Sequence, residues 1–222
     1  MPRLRSARPR VSEVSAKTKR TRAGAQKRTY RLGVRADLAA ETARSILAAT
    51  IDLYGERFYD QVSLEDIAER AGVTVQTLIR RFGSKEKMIS AAAEDRRATI
   101  RNPRDETPVG DLAAAAKALV ETYEDHGDRV LRMLAQEDRI PAFRLIADTG
   151  RAYHYAWVDR IFAPLLAKQS RRDRECLRAQ IIAVCDLYVW KVLRRDLGMS
   201  AAETQRAILH MLSTLGGTAI TK

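Results

Sequence analysis

Residues 63–85 have the sequence Ser63-Leu64-Glu65-Asp66-Ile67-Ala68-Glu69-Arg70-Ala71-Gly72-Val73-Thr74-Val75-Gln76-Thr77-Leu78-Ile79-Arg80-Arg81-Phe82-Gly83-Ser84-Lys85, and this stretch decides the fold. Ser63 and Asp66 have the spacing of a capping box, in which each side chain binds the backbone N–H of the other residue and opens a helix. Gly72 suits the left-handed conformation of a tight turn, and Thr74 can cap a second helix. Two short helices joined by a glycine turn predict a helix-turn-helix.

The second of these helices carries side chains that can recognise DNA. Leu78 and Phe82 are its inward residues, and its other faces carry Val75, Gln76, Thr77, Ile79, Arg80 and Arg81. Glutamine can form two hydrogen bonds with adenine, threonine offers a hydroxyl and a methyl group, and arginine binds guanine or phosphate. We therefore expect this helix to lie in the major groove. The spacing alone leaves open a second interpretation, an ordinary helical hairpin with a solvated polar face.

Residues at the start of the two helices of the motif, and of the helix that follows them, complete the predicted DNA-binding set. Ser84 and Lys85 begin the next helix, and a helix N-terminus with a lysine beside DNA can bind a phosphate. Ser63 and Thr74 begin the two helices of the motif. The predicted contacts are therefore Ser63, Thr74, Val75, Gln76, Thr77, Ile79, Arg80, Arg81, Ser84 and Lys85.

Residues 43–90 resemble the DNA-binding domain of the TetR family of transcriptional regulators. The motifs that carry the resemblance are Leu53-Tyr54 in the first helix, Ile67-Ala68 and Ala71-Gly72-Val73 in and after the second, and Phe82 followed by Ser84-Lys85-Glu86 after the third. The family usually has glycine at position 76 and a phosphate-binding tyrosine at position 79. Here Gln76 can reach a base and Ile79 can touch a thymine methyl group, which leaves Arg80 or Arg81 to contact the phosphate.

The resemblance implies an all-α protein with an N-terminal three-helix helix-turn-helix domain and a larger C-terminal helical domain for ligand binding and dimerisation. It also implies a homodimer whose recognition helices lie about 34–36 Å apart and match a palindromic double-stranded DNA operator. The expected function is that of a repressor released from this operator by a small-molecule effector. The expected domains are 1–37, a disordered basic arm; 38–94, the DNA-binding domain; and 95–222, the effector-binding and dimerisation domain.

The C-terminal part of the chain shows helical periodicity after the breaker-rich segment 102–110. The apolar pattern predicts helices at about 111–125, 129–138, 141–168 with a kink at Pro164, 172–195 and 201–215. The last two are apolar on two sides, which predicts burial against both the monomer core and a partner subunit. The predicted dimer interface consists of Ile181, Tyr188, Val192, Ile208 and Leu212. The alternative is that both helices are core helices of a monomer.

Aromatic residues in the same part of the chain suggest an effector site, because ligand cavities combine aromatic walls with a few polar groups. The predicted ligand-binding residues are Tyr123, Trp157, Asp186 and Trp190. Aromatic residues at helical spacing are also typical of an ordinary core. Asp186 lies on an apolar stripe and needs a partner there, either an arginine at the subunit interface or a cationic effector.

Positive charge is concentrated at the N-terminus. The formal net charge is +12, and 12 of the 40 Lys and Arg residues lie in residues 1–37, where Glu13 and Asp37 are the two acidic residues. Such an arm can add affinity for DNA, for example in the minor groove, or it can be a solvated tail.

The composition argues against several other classes of protein. Two cysteines, Cys176 and Cys185, exclude a disulfide scaffold and argue against a cysteine-ligated zinc site. The sequence contains no apolar run long enough to span a membrane and no apolar signal segment, so we expect a cytoplasmic protein.

Enzymatic signals are weak as well. The three histidines lack the spacing of metal ligands, and neither a phosphate-binding loop nor a nucleophile motif occurs, so we expect no catalytic residue, no metal and no cofactor. The alternatives to a regulator are a helical adaptor or ligand carrier that no longer reads DNA and, third, a helical enzyme. An adaptor would not need an exposed face with Gln76, Thr77, Arg80, Arg81 and Lys85.

Overall fold

A computed structural model of the protein describes residues 37–99 and 102–217. The predicted basic arm lies outside the described residues, apart from its last residue, Asp37. Where the chain is described, it is helical and contains no strand. The chain divides into two compact units, one ending at Ser45 and the other beginning at Ile46.

The N-terminal helices are α1 (37–56), a short 3-10 helix (Tyr59–Gln61), α2 (Leu64–Ala71), α3 (Val75–Phe82) and α4 (Lys85–Thr99). From Ile46 onward they enclose a small apolar core. Its buried members are Ile46, Leu53, Val62, Ile67, Ala68, Leu78 and Met88. Ala68 is buried between the helices, and its small side chain lets α3 cross close to α2.

Local hydrogen bonds fix the start and end of α2, as the sequence predicts. The Ser63 hydroxyl accepts from the Asp66 backbone N–H at 3.0 Å, and Asp66 Oδ2 accepts from the Ser63 N–H at 2.7 Å. Gly72 has a φ of 67°, the left-handed conformation that ends α2. The Thr74 hydroxyl then accepts from the Thr77 N–H at 3.2 Å and opens α3. The helix-turn-helix geometry therefore results from contacts between near neighbours in sequence.

The C-terminal part consists of a 3-10 helix (Pro103–Glu106), α5 (Leu112–Leu134), α6 (Pro141–Ile161), α7 (Ala163–Leu166), α8 (Arg171–Val184), α9 (Leu187–Lys191), a π-helical turn (Val192–Asp196) and α10 (Ala201–Gly217). The core of this part lies between α5, α6, α8, α9 and α10. Its most deeply buried large side chains are Leu119, Ile161, Phe162, Ile181, Trp190, Ile208 and Leu212.

Two of the predicted helix boundaries are wrong. The predicted helices 111–125 and 129–138 are joined into one helix, α5, which ends at Leu134. Gly127 stays helical inside it and leaves room for Trp190, since a Cβ atom on Gly127 would lie 2.6 Å from the indole ring. Conversely, the predicted helix 172–195 breaks at Cys185, and the Asp186 carboxylate accepts from the Tyr188 N–H at 2.9 Å to start α9. The predicted interruption near Pro164 is present, since α6 ends at Ile161.

A second set of contacts joins the N-terminal helices to α5 and α6. Ile89 of α4 packs with Ile140 and Phe143 in a separate apolar cluster. The Tyr59 backbone N–H donates to Gln136 Oε1 at 2.9 Å, and Arg132 donates to the carbonyl oxygen of Gly55. The start of α4 is therefore held between the helix-turn-helix and the C-terminal core. None of the described helices is long and apolar enough to cross a membrane.

Candidate nucleic-acid interface

Helix α3 is oriented by its buried side. Leu78 is fully buried in the N-terminal core and Phe82 packs against it, which fixes which face of the helix points outward. The side chains on the outward face are Gln76, Ile79, Arg80 and Arg81, and all four are exposed. One amide, one apolar side chain and two guanidinium groups thus lie on two successive turns of an exposed helix. This combination can bind base edges, thymine methyl groups and phosphates.

Val75 and Thr77 are less exposed than the sequence predicts. Val75 is partly buried and packs against the N-terminal core. Thr77 is also partly buried, and its hydroxyl lies 3.0 Å from the Thr74 hydroxyl. These two residues border the exposed face and do not lie at its centre.

Three predicted DNA contacts act as helix caps in this structure. The hydroxyl oxygens of Ser63, Thr74 and Ser84 each accept a backbone N–H from their own helix; for Ser84 the donor is the Lys87 N–H at 3.3 Å. Each of these residues therefore fixes the N-terminus of one helix of the motif, where backbone N–H groups favour anions. A direct contact between these hydroxyls and DNA remains a prediction.

Lys85 lies folded back onto the neighbouring 3-10 helix. Its Nζ donates to the Tyr59 carbonyl oxygen at 2.8 Å and lies 3.9 Å from the centre of the Tyr59 ring and 5.8 Å from that of Tyr54. Partial burial lowers the pKa of Lys85. The Tyr59 hydroxyl in turn donates to Glu86. In this conformation the ammonium group is bound within the protein instead of extending from the start of α4 as a phosphate ligand.

A cavity of about 730 Å³ lies beside α4, between α1, α5 and α6. Its apolar wall includes Tyr54, Ile89, Met133, Phe143 and Ile146. Its polar edge includes Arg96, Asp125, His126 and Arg129, with Arg96 Nη2 and Asp125 Oδ2 paired at 3.1 Å. Burial lowers the pKa of His126 and favours the neutral imidazole. The volume falls within the range of about 300–1,000 Å³ that is typical of small-molecule sites.

None of the predicted ligand-binding residues lines this cavity. Tyr123, Trp157 and Trp190 are buried core residues whose polar atoms bind Cys185 O, Arg104 O and Glu124 Oε1 respectively. Asp186 neither pairs with an arginine nor faces the cavity in the described residues, since it caps α9. Periodicity along single helices could not locate a cavity whose walls come from four helices.

Three of the five residues of the predicted dimer interface are buried within the single chain. Ile181, Ile208 and Leu212 are 0–1% exposed in the single chain, so they cannot offer surface to a partner, and their assignment is corrected to the core. Tyr188 and Val192 are 55% and 45% exposed. The sequence pattern identified helices that are largely apolar, but it did not reveal which face the monomer itself covers.

No cluster of histidine, cysteine, aspartate or glutamate side chains suited to a metal ion occurs in the described ranges, 37–99 and 102–217. The two cysteines differ in exposure. Cys176 is exposed on α8, whereas Cys185 is buried, and burial raises the pKa of its thiol to about 12.

Comparison with known proteins agrees with this geometry. Residues 46–92 match the family model of the bacterial regulatory proteins of the tetR family. No curated protein matches the chain significantly in sequence. Among solved structures, a tetR-family transcriptional regulator from Streptomyces coelicolor is 18% identical, with a TM-score of 0.60 over 79% of this chain and 80% of its own. A transcriptional regulator from Rhodococcus sp. Rha1 is 16% identical, with a TM-score of 0.59 over 78% of this chain and 95% of its own.

The similarity to these two solved structures shows the fold alone. The family match covers the helices whose caps, turn and exposed face are described above. Residues 46–92, which hold the helix-turn-helix, therefore form a DNA-binding domain of the tetR family of bacterial regulatory proteins.

Proposed function

We propose that this regulator is a repressor that binds a palindromic operator as a homodimer and leaves it when a small molecule occupies the cavity beside α4. The observation that carries the proposal is the exposed face of α3, where Gln76, Ile79 and Arg80 project from a helix fixed by buried Leu78. A glutamine and an arginine on such a helix can each discriminate bases by about 1–3 kcal/mol.

The contacts of α4 support a link between the cavity and DNA binding. Ile89 and Arg96 of α4 border the cavity, and α4 begins immediately after α3, separated from it by Gly83 and Ser84. A molecule that prefers a wider cavity would move α4 and with it the orientation of α3. It would weaken operator binding by its differential affinity for the two positions of α4.

Exposed apolar residues support dimerisation through the segment that follows α8. Tyr188, Val192 and Leu197 are all exposed in the single chain and lie within ten residues of each other. An exposed apolar patch of this kind is typical of an interaction surface. We propose that it contributes to a twofold interface and thereby sets the distance between the two copies of α3.

We propose that DNA binding and effector binding belong to different domains of the chain, as expected from the sequence. Residues 38–94 contain the DNA-reading helices, and 95–222 contain the remaining cavity walls and the proposed interface. We propose that the protein binds DNA in the cytoplasm.

Selection of bound fragments from a genomic DNA library by the full chain tests the proposal. We expect enrichment of an inverted repeat whose half-sites are one helical turn, or a multiple of it, apart. Enrichment without any common motif would contradict operator reading and favour the adaptor or carrier interpretation. A reporter gene behind the selected site should be less expressed when the protein is present, whereas increased expression would overturn the repressor role.

A further inference from the structure

The charged groups around the cavity are not evenly neutralised. Arginines enter its edge from two helices: Arg96 and Arg97 from α4 and Arg129 from α5. Three acidic residues also line it, and their contacts decide whether the cavity suits a cation or an anion.

The acidic groups have partners or point to solvent. Asp105 accepts a hydrogen bond from the Tyr153 hydroxyl at 2.7 Å. Glu121 is half exposed and lies 3.8 Å from Lys117, which is outside the cavity. Asp125 accepts from Arg96. Asp125, the carboxylate next to Arg96 and Arg129, is therefore already paired with a cation.

Arg129, unlike Arg96, forms no ion pair with a described residue. Its Nη2 donates to the backbone carbonyl oxygen of Asp125 at 2.7 Å, and no described carboxylate lies within ion-pair distance of it. Its stem crosses α1 at Gly55, where a Cβ atom would lie 2.6 Å from Arg129 Cδ, so the glycine makes this close approach possible. Burial is the larger cause that lowers the pKa of Arg96, and the neighbouring positive charge of Arg129 is the second.

A fourth arginine strengthens the positive potential from behind the cavity wall. Arg104 is 5% exposed, its Nε has no hydrogen-bond partner, and no described carboxylate forms an ion pair with it. Its guanidinium lies 5.3 Å from the ring centre of Tyr153, which lines the cavity. A buried charge that lacks an opposite charge extends its field further than an exposed one.

One wall of the cavity is apolar. Ile89, Met133, Phe143 and Ile146 lie toward the helix-turn-helix, away from the 3-10 helix of Pro103–Glu106. A ligand that fills this space needs an apolar body, and a ligand that reaches Arg96 and Arg129 needs a group able to accept several hydrogen bonds from guanidinium N–H donors. Carboxylates and phosphates accept such bonds in a bidentate manner.

We propose that the cavity binds an amphipathic anion, with a carboxylate or phosphate at Arg96 and Arg129 and an apolar chain along Ile89, Phe143 and Ile146. This assignment rests on the proposed function, because it names the class of effector. It predicts that a negative head group increases affinity over a neutral or positive one on the same chain.

Isothermal titration calorimetry of the full chain without DNA tests the assignment. The probes are dodecanoate, dodecyl phosphate, dodecanol and dodecyltrimethylammonium, each below its micelle-forming concentration. We expect at least one of the two anions to bind about tenfold or more tightly than dodecanol, as one charge-assisted hydrogen bond would produce. The two anions distinguish a carboxylate site from a phosphate site. Dodecanol or dodecyltrimethylammonium binding as tightly as both anions, or no binding of either anion, would overturn the assignment.

Matched variants locate the head group. Arg129→Gln should weaken binding of the preferred anion about tenfold and leave dodecanol unaffected. Arg172→Gln removes the same charge from an exposed position of α8 outside the cavity and should change neither. Equal loss in both variants would mean that general electrostatics, and not this edge, binds the anion, and would overturn the assignment. The head-group comparison on the unaltered protein stands even if a variant misfolds.

Adding the preferred anion to the operator complex separates this assignment from the proposed function. If the anion binds but the operator stays bound, the ligand class stands and effector release fails. If an operator is found but neither anion binds, DNA reading stands and the ligand class fails.

Discussion

The ammonium nitrogen of Lys85 lies 2.8 Å from the carbonyl oxygen of Tyr59 and 3.9 Å from the centre of the Tyr59 ring. Tyr59 also binds Gln136 through its backbone N–H and Glu86 through its hydroxyl. Lys85 thus connects the start of α4 to a residue that is itself tied to the C-terminal part. The sequence alone predicts a phosphate contact for this lysine, so its two roles make different predictions.

We predict that Lys85→Ala lowers the free energy of unfolding by about 1–2 kcal/mol, because it removes one hydrogen bond and one cation–π contact. Denaturant unfolding measures this loss. Lys87→Ala, two residues further along α4, should stay within about 0.5 kcal/mol of the unaltered protein.

The salt dependence of DNA binding separates the two roles of Lys85. If the structural role is the main one, both lysine variants show the same slope of log affinity against log salt. A slope smaller by about one for Lys85→Ala alone, with unchanged stability, would instead support the phosphate contact.

Base reading by α3 is tested with Gln76→Ala and Arg80→Ala. Each should cost about 1–3 kcal/mol at the selected operator and relax the preference at particular base pairs, since both side chains are exposed on the outward face. Lys117→Ala on α5 is the control for loss of one positive charge. Unaltered site selection by both α3 variants would refute base reading by this face.

Two substitutions to glutamate distinguish the dimer surface from the core. Tyr188→Glu places a charge on exposed surface and should yield a folded monomer in analytical ultracentrifugation, with a melting temperature measured alongside. Leu212→Glu buries a charge in the monomer core and should prevent folding, at a cost of several kcal/mol. A Tyr188→Glu protein that remains a dimer would place the interface elsewhere.

Deletion of residues 2–36 tests the basic arm. The dimer should stay folded and keep its operator preference, because the exposed face of α3 supplies the proposed base contacts. Binding at moderate salt should weaken, and the salt slope should become shallower by several units, since each neutralised phosphate contributes about 0.9. Equal affinity and slope for both chains would identify the arm as a solvated tail.

Much of the helix-turn-helix could be predicted because its decisive contacts are local. Ser63 with Asp66 and Thr74 with Thr77 are three residues apart, and Gly72 needs only its own backbone freedom. Such contacts form within one turn of chain, so spacing is enough to identify them. The outward position of Gln76 and Arg80 then follows from the inward position of Leu78.

The C-terminal predictions failed where one helix meets another. The apolar pattern of Ile181, Ile208 and Leu212 indicated burial, but it gave no information on whether the monomer or a partner covers these residues. The pattern predicts a break between 125 and 129, yet Gly127 stays helical, and Trp190, 63 positions later in the chain, occupies the space that a Cβ atom on Gly127 would need. Neither the burial of these three residues in the monomer nor the continuity of α5 at Gly127 can be predicted from the sequence of one helix alone.

The sequence by itself determined the motif, the caps of its helices and the outward positions of Gln76, Ile79, Arg80 and Arg81, because hydrogen bonds within one turn and a period of 3.6 residues fix them. The tertiary structure decided where Lys85 binds, which apolar faces remain exposed and where the cavity lies. Those properties depend on contacts such as Tyr59 with Gln136 and Arg129 with Gly55, which join residues more than seventy positions apart. Packing selects such pairs from the whole fold, and no local pattern specifies them.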